Sequence, residues 1–585
     1  MIDFRNVNTL WTSVLVETCQ RLGLTTAVIS PGSRSTPLTV AFARHPQIET
    51  IPILDERSAA FFALGRAKRT GIPTVLICTS GTAGANFYPA VVEATQSHIP
   101  LIILTADRPP ELRNCRAGQT IDQIKLYGSY PNWYCELALP EASLGMLRYL
   151  RQNIIQAWER SLYPLPGVIH LNLPFREPLA PISPSELGEI ESQFDCASFF
   201  EGISRPFPLL NSQFSLPLKI WQSHQRGIII AGLAQPHNPE LYCRAIAKLA
   251  KLLSFPVLGE ALSPIRNYAT LNPYLISTYD LILRNTELAE KLAPEIVIQI
   301  GELPTSKELR SWLEKFSCQR WVIDSHGKNY DPLHGKTVHL YTSIEQAVNN
   351  IDDNLSDSEI LDYCQQWCAV ETKTRQNLDH TITDIDTLYE GKAAWLLSRT
   401  LPPATPIFMA NSMSVRNAEF FWQPNNRKII PYFSRGANGI DGTLSTALGV
   451  IYGDKPGVLL TGDLALLHDN NGFLISHKFK GHLTIILINN YGGGIFEMLP
   501  IAELDEAFEE YFATPQIANF AKLCTAYDIE YQAIETWDKL EKLLTNLPET
   551  GIRVLELICD RKADAQWLKN NLSEFSKHLS LNIEH

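Results

Sequence analysis

Hydrophobic positions along the chain alternate between two patterns. From Thr25 onward, short apolar runs ("TAVIS", "ETIPIL", "PTVLICT", "PLIILTA") are each followed by a stretch whose apolar residues recur at three- and four-residue spacing. Examples are "STPLTVAFARH", "ERSAAFFALGRAKRTG" and "NFYPAVVEATQ". Continuous apolar runs of strand length interleaved with helical spacing predict βαβ units, and hence parallel sheets covered on both faces. The pattern continues to "GVIHLNLPF", which ends at Phe175, and then breaks into "REPLAPISPSE", whose proline content and the following "GEIESQFD" suit a linker. A second series follows ("GIIIAGL", "FPVLGEAL", "EIVIQIGEL", "RWVIDSHG"). Beyond a polar helical link around Asp352 to Asp386 comes a third ("PIFMANS", "PGVLLTGD", "HLTIILINN", "IRVLELICD"). The expected architecture is α/β throughout, as three consecutive domains over residues 1–182, 205–345 and 375–585.

Composition narrows the partners. With 585 residues, about 150 per domain, three cores are affordable. Charged residues are 19% of the chain and the formal net charge is −12, so no basic field exists to hold nucleic acid or an anionic membrane. Any anionic ligand must therefore meet local cations. The long uncharged stretch that includes Gly71 to Val92 is interrupted by Pro73, Gly81, Gly84, Asn86 and Pro89 and reads as no membrane helix. The N-terminal "MIDFRNVNTLWTSVLVETCQ" lacks the layout of a signal peptide. Eleven cysteines without a C-x-x-C pair, two of them (Cys364, Cys368) one helical turn apart, read as reduced thiols in a cytoplasmic protein.

The chemistry concentrates where apolar runs end. "GVLLTGD" ends in Asp463, and "HLTIILINN" ends in Asn490, 27 positions later (490 − 463). A carboxylate and an amide at the ends of two parallel strands meet at the carboxyl edge of a sheet, where α/β proteins bind ligands. Hard oxygens there suit Mg²⁺, or Mn²⁺ in its place, with phosphate oxygens completing the octahedron. The glycines of "NNYGGGIF" let backbone approach a diphosphate, and the carbonyl of Gly492 can join the metal shell. Arg34, Arg108, Arg416 and Arg435 all fall in loops after predicted strands, and guanidinium forks suit carboxylates.

Gly462-Asp463 with Asn489-Asn490 resembles the diphosphate and metal motif of thiamine diphosphate enzymes. Glu56 in "ILDERSAAFFALG" stands where a strand hands over to an amphipathic helix. There it could simply complement the helix dipole. The resemblance implies instead that it bonds N1′ of the cofactor's aminopyrimidine and favours the imino tautomer that deprotonates the thiazolium C2. Ile440 in "SRGANGIDGTLSTALG" matches the bulky apolar residue that holds the cofactor bent. The same resemblance names the three domains in order as pyrimidine-binding, middle, and diphosphate- and metal-binding.

The strings "SPGSRSTPL", "DERSAAFFALG", "TSGTAGANFYPAVVEA", "LTADRPPELR", "AGQTIDQ", "NSMSVRNAE", "SRGANGIDG", "GDLALLHD" and "NNYGGGIFEMLP" are similar to the 2-succinyl-5-enolpyruvyl-6-hydroxy-3-cyclohexene-1-carboxylate synthase family. The resemblance spans both outer domains and is weaker in the middle one. It implies a thiamine diphosphate-dependent transferase that decarboxylates 2-oxoglutarate and adds the resulting succinic semialdehyde equivalent to isochorismate in a 1,4 sense. Such enzymes act in menaquinone and phylloquinone synthesis, and the resemblance implies homodimers with active sites at the subunit interface, or dimers of dimers. It assigns Glu56, Ser412, Gly439, Ile440, Gly462, Asp463, Asn490, Gly492 and Ile495 to the cofactor and Asp463, Asn490 and Gly492 to the metal. To substrate it assigns Ser33, Arg34, Arg108, Gln119, Lys307, Ser412, Arg416 and Arg435, with Ile495, Phe496 and Leu499 as the apolar wall. One departure stands in the middle domain, where the family pairs Lys with Arg and this chain has Lys307 followed by Glu308, with Arg310 as the nearest substitute. Two alternatives are an acetolactate synthase-like carboligase and a scaffold without catalysis. The absence of G-x-G-x-x-G in "AGLAQPHNPE" speaks against the flavin site common in the first, and the joint presence of Glu56, Asp463 and Asn490 against the second.

Overall fold

The computed structural model describes residues 2–182, 187–203, 216–316, 318–349, 351 and 360–581. Three six-stranded sheets, every strand pairing parallel, carry the fold. The first comprises β1 (Thr26–Ile29), β2 (Glu49–Pro52), β3 (Thr74–Cys78), β4 (Leu101–Asp107), β5 (Trp133–Glu136) and β6 (Val168–Pro174). The second comprises β7 (Gly227–Ala231), β8 (Val257–Gly259), β9 (Leu275–Ile276), β10 (Ile296–Ile300), β11 (Gln319–Ile323) and β12 (Thr337–Leu340). The third comprises β13 (Pro406–Met409), β14 (Ile430–Tyr432), β15 (Gly457–Gly462), β16 (His482–Asn489), β17 (Glu530–Ile534) and β18 (Gly551–Ile558).

The first and third sheets share one strand order. They run β2-β1-β3-β4-β6-β5 and β14-β13-β15-β16-β18-β17, so each places its own strands as 2-1-3-4-6-5. The middle sheet runs β12-β11-β10-β7-β8-β9, which from the other edge is 3-2-1-4-5-6, the doubly wound order. Interior strands such as β4 and β16 are buried at every residue, as expected for parallel sheets covered on both faces. Among the described residues, no helix is long and apolar enough to cross a membrane.

By contact the chain divides into two compact units. One is Met1–Leu210 with Ser434–Asp454 and Ala465–Lys480; the other is Asn211–Phe433 with Lys455–Leu464 and Gly481–His585. In the first unit the helix Glu56–Thr70 packs against the helix Thr443–Ile451 at glycine-mediated backbone contact. A Cβ on Gly65 would lie 2.1 Å from the Thr446 carbonyl oxygen, and one on Gly449 would lie 2.1 Å from that of Phe62. The second unit contains the middle and third sheets, joined by a fully buried Arg266–Glu419 ion pair at 2.8 Å.

The segment read from sequence as linker is partly structured. Residues 188–193 form a helix with Leu187 and Ile190 three positions apart on one face, and these two together with Phe199 and Phe200 are buried in the first-sheet core. Of the expected linkers, 183–186 and 352–359 lie outside the described residues. So do 205–215 at the start of the expected middle domain and 582–585 at the end of the last.

Candidate active site

Four nominated residues gather at the carboxyl edge of the first sheet, around Thr79–Gly81 just beyond β3. Arg34 is buried; its backbone N–H donates to Thr79 Oγ1 (3.2 Å), its guanidinium donates to the Phe175 carbonyl (2.9 Å), and it pairs with Glu177 (3.4 Å). Arg108, just past β4, donates to Ser80 Oγ (2.8 Å) and to the Gly118 carbonyl (3.1 Å). Gln119, at φ +58°, donates its amide to the Ser80 carbonyl (3.0 Å) and returns a carbonyl to Ser80 Oγ (3.0 Å). Ser33 lies exposed beside them. Burial, then the charge of neighbouring Arg108, hold the Arg34 guanidinium below its ordinary pKa, with Glu177 and Asp107 acting the other way. The two guanidiniums thus share one sheet edge, close enough for the charge of one to bear on the other.

Glu56 opens its helix as sequence suggested. Asp55 caps it, accepting from the Ser58 N–H (3.0 Å) and from the Asn471 amide (2.7 Å), while Arg57 donates to the His468 carbonyl (2.8 Å). The first turn is thus clamped on both sides of Glu56 to the 468–471 segment. That segment is fixed in turn by buried Asp469, which accepts from the Ser445 N–H (2.6 Å) and hydroxyl (3.0 Å) and is pushed up to about 7 by burial.

The loop bearing Arg435, Gly439 and Ile440 belongs to the same unit. Buried Glu93, which sequence reasoning did not single out, accepts from the backbone N–H of Gly436 (3.2 Å) and of Ala437 (2.7 Å) and from Ser97 Oγ (2.7 Å). Ile440 accepts from Thr443 Oγ1 (2.7 Å), and Gly442, at φ +65°, begins the helix packed on that of Glu56.

In the second unit the candidates cluster at the carboxyl edge of the third sheet. β15 and β16 are paired to Gly462↔Ile488, which sets Asp463 beside Asn489 and Asn490. Asp463, 3% exposed, accepts from the Gly492 N–H (2.9 Å). Gly492 sits at φ +136°, and a Cβ there would lie 2.3 Å from the Ala513 carbonyl oxygen, so only glycine fits. The Gly492 carbonyl accepts from the Gly494 N–H (3.0 Å) and keeps a second lone pair. Asn490 donates its amide to Glu390 Oε2 (3.1 Å), and its own Oδ1 is buried with no hydrogen-bond partner. Burial pushes the Asp463 carboxyl up to about 6, against the N–H groups of Leu464 and Gly492. Burial likewise pushes Glu390 up to about 7, with the hydrogen bonds from Asn417 and Asn490 opposing.

Ser412 follows β13 at φ +66°, a strained conformation for serine, and its carbonyl accepts from Arg416 (2.6 Å). Ile495 and Phe496 lie on a short turn of helix after the glycines with Leu499 just beyond, all half-buried; Phe496 packs edge-on against Phe512 at 5.8 Å. Lys307 stands apart from this edge, exposed at the start of the helix Lys307–Lys315 of the middle domain. Glu308 pairs with Arg284 (3.6 Å), and Arg310 turns its guanidinium onto the carbonyls of Pro304 (3.1 Å) and Leu303 (3.4 Å).

An Asp oxygen, an orphaned Asn oxygen and a Gly carbonyl on one loop edge fit a hard divalent cation that shares its shell with a diphosphate. Among the described residues no cluster of three His, Cys, Asp or Glu could hold a metal alone.

Comparison with known proteins agrees along the whole chain. Residues 11–126 match the family described as "Thiamine pyrophosphate enzyme, N-terminal TPP binding domain", 214–409 the "Middle domain of thiamine pyrophosphate", and 411–556 the "Thiamine pyrophosphate enzyme, C-terminal TPP binding domain". The chain is 67% identical over 580 residues to the 2-succinyl-5-enolpyruvyl-6-hydroxy-3-cyclohexene-1-carboxylate synthase of Gloeothece citriformis, covering 98% of this chain and 99% of that protein. It is 60% identical to the protein of the same name from Rippkaea orientalis (100% and 99% covered) and 54% identical to that from Acaryochloris marina (99% and 100%). The chain therefore belongs to the 2-succinyl-5-enolpyruvyl-6-hydroxy-3-cyclohexene-1-carboxylate synthase family of thiamine diphosphate enzymes.

Proposed function

We propose that the chain is a transferase that decarboxylates 2-oxoglutarate and joins the remaining four-carbon unit to isochorismate. The product is 2-succinyl-5-enolpyruvyl-6-hydroxy-3-cyclohexene-1-carboxylate, with release of carbon dioxide, as a step of menaquinone or phylloquinone synthesis in the cytoplasm. The observation that carries the reading is full-length identity of 67% to a protein of that name. The buried Arg34 beside Arg108 supports it, because both substrates are dicarboxylates and the chain is acidic overall.

When bound, thiamine diphosphate supplies the electron sink for decarboxylation. Residues 1–182 serve its pyrimidine and 375–585 its diphosphate, with 205–345 between them. Glu56, fixed by the Asp55 and Arg57 clamps, exchanges a proton with N1′ of the aminopyrimidine. Asp463, Asn490 and the Gly492 carbonyl hold Mg²⁺ or Mn²⁺, and Gly462 leaves room for the diphosphate. Ser412, Gly439, Ile440 and Ile495 shape the cofactor seat. Arg34, Arg108, Arg416 and Arg435 bind carboxylates, with Ser33, Gln119 and Lys307 as further polar contacts. Phe496 and Leu499, with Ile495, keep water from the reacting carbon.

The proposal includes a homodimer with sites at the subunit interface, supported by the same family resemblance; sedimentation of the 65.7 kDa chain as a monomer would overturn that part. The reaction is tested by supplying the protein with thiamine diphosphate, Mg²⁺ and both substrates. Loss of isochorismate matched by carbon dioxide release is expected; carboligation of pyruvate alone would favour the acetolactate synthase-like alternative.

A further inference from the structure

An asparagine amide has two chemically opposite ends, and only its oxygen can face a cation. At Asn490 the buried Oδ1 has no partner, so something other than Oδ1 must decide which way the amide points. Two features do. The amide nitrogen donates to Glu390 Oε2 at 3.1 Å, and the space it occupies is left by Gly494, where a Cβ would lie 2.7 Å from that nitrogen. Turning the amide over would set Oδ1 against the lone pairs of Glu390 and leave two donors buried where Oδ1 now stands.

Glu390 is itself held. It is 4% exposed, at the start of the helix Glu390–Thr400. Its backbone N–H donates to Asp564 Oδ2 (3.1 Å), and Asn417, on the helix after β13, hydrogen-bonds its side chain. A solvent-facing acid at a helix start needs no further account, but a buried one does.

We propose that Glu390 is a positioning residue that orients the Asn490 amide with its oxygen toward the divalent cation. The inference rests on the reading of Asp463, Asn490 and Gly492 as the metal site. Glu390 touches neither cofactor nor substrate; it acts through Asn490, as outer hydrogen-bond partners act on metal ligands generally.

The test is Mn²⁺ binding to the full chain with thiamine diphosphate present, with free Mn²⁺ counted by electron paramagnetic resonance. Glu390→Leu should weaken Mn²⁺ by about 10- to 100-fold. Glu390→Gln, which still accepts from Asn490 and can donate to the unpartnered Asn417 Oδ1, should stay within about threefold of the parent. Added to Asn490→Ala, Glu390→Leu should cause no further loss, since its only route to the cation is gone. Near-ultraviolet circular dichroism of the metal-free proteins establishes that each variant is folded. Should Glu390→Leu not fold, Glu390→Asp, which withdraws the acceptor by one methylene, takes its place with the same expected direction. Unchanged Mn²⁺ affinity in the folded Glu390 variant, with affinity lost in Asp463→Ala and Asn490→Ala, overturns the role of Glu390 and leaves the metal site standing. Unchanged affinity in Asp463→Ala and Asn490→Ala overturns the metal site itself.

Discussion

Gly449→Ala sets two effects of opposite sign against each other. Glycine inside the helix Thr443–Ile451 costs about 1 kcal/mol relative to alanine, so on propensity alone the substitution stabilises. The structure reverses that sign. The new Cβ would lie 2.1 Å from the Phe62 carbonyl oxygen, 2.9 Å from the Phe62 carbonyl carbon and 3.1 Å from the Arg66 nitrogen, all backbone atoms that no rotamer change can move. Reaching ordinary contact at 3.4 Å requires the helices to part by about 1.3 Å (3.4 − 2.1). Overpacking of this kind costs about 1–3 kcal/mol, so the net effect should be a loss of up to about 2 kcal/mol.

The same displacement reaches the chemistry. The helix pushed aside is the one that Glu56 opens, and a misplacement of about 1 Å at a reacting group can cost about 10²-fold in rate. We expect kcat to fall on that order, while apparent affinity for the oxo acid substrate changes little. Gly145→Ala is the control: Gly145 lies in the helix Leu144–Leu162 with nothing within 4 Å of a new Cβ, and should gain up to about 1 kcal/mol with activity unchanged. Urea unfolding and steady-state kinetics of both variants decide the matter. If Gly449→Ala matches Gly145→Ala in stability and keeps its kcat, the close helix contact is not what places Glu56.

Glu56→Gln should retain cofactor binding, followed by tryptophan fluorescence, and lose about 10²- to 10⁴-fold in turnover; full activity would remove Glu56 from the mechanism. Arg416→Ala and Arg435→Ala should each raise the KM of a substrate or lower kcat/KM by a few kcal/mol at most, roughly the cost of breaking a buried charge pair; unaltered kinetics for both substrates would dismantle the dicarboxylate pocket. His170, wholly buried on β6 with Nε2 at 2.8 Å from Thr105 Oγ1, is lowered by burial to about 3. Its unfolded form, near 6.5, takes up a proton first on acidification. Stability is therefore full above pH 6.5 and is lost as pH falls toward 3, by about 2 kcal/mol at pH 5. His170→Gln should remove that share of the pH dependence; parallel curves for the two proteins would contradict it.

What the sequence revealed of the fold follows sheet position. The runs read as strands are, except for β2, interior strands, whose residues are apolar on both faces and so form continuous runs. The strands that left no clear signal, β5, β9, β12, β14 and β17, are all sheet edges. β5 and β12 carry no fully buried residue, and β9 is only two residues long, so burial writes little pattern into them. The site shows a similar split. Most residues nominated for a ligand sit in glycine-rich or arginine-bearing loops after strands and stood out, whereas Glu56, at a helix start, stood out only through the resemblance to thiamine diphosphate enzymes. Glu390 and Glu93 act on other residues from helices, and an acid at a helix start or within one reads as ordinary helix chemistry. Their burial, invisible in sequence, is what sets them apart.

The shared strand order of the first and third sheets explains where the candidates fall. In an order of 2-1-3-4 the chain reverses direction across the sheet between its first and third strands, and the crevice at the carboxyl ends there is where ligands bind. Each candidate in these sheets ends or follows one of the first four strands of its sheet. After the first strand come Ser33 and Arg34 in one sheet, Ser412 and Arg416 in the other; after the second, Glu56 in one and Arg435, Gly439 and Ile440 in the other. After the third strand the first sheet presents the Thr79–Gly81 turn that gathers Arg34 and Arg108, and the third sheet presents Asp463. After the fourth come Arg108 and Gln119, against Asn490, Gly492 and the apolar Ile495, Phe496 and Leu499. None follows the fifth or sixth strand of either sheet. One topology used twice thus offers the same four loop positions twice, and side-chain choice at those positions divides the work. One sheet carries Arg34, Arg108 and Glu56, and the other carries Arg416 and Arg435 together with the oxygen donors Asp463 and Asn490 and the glycines beside them.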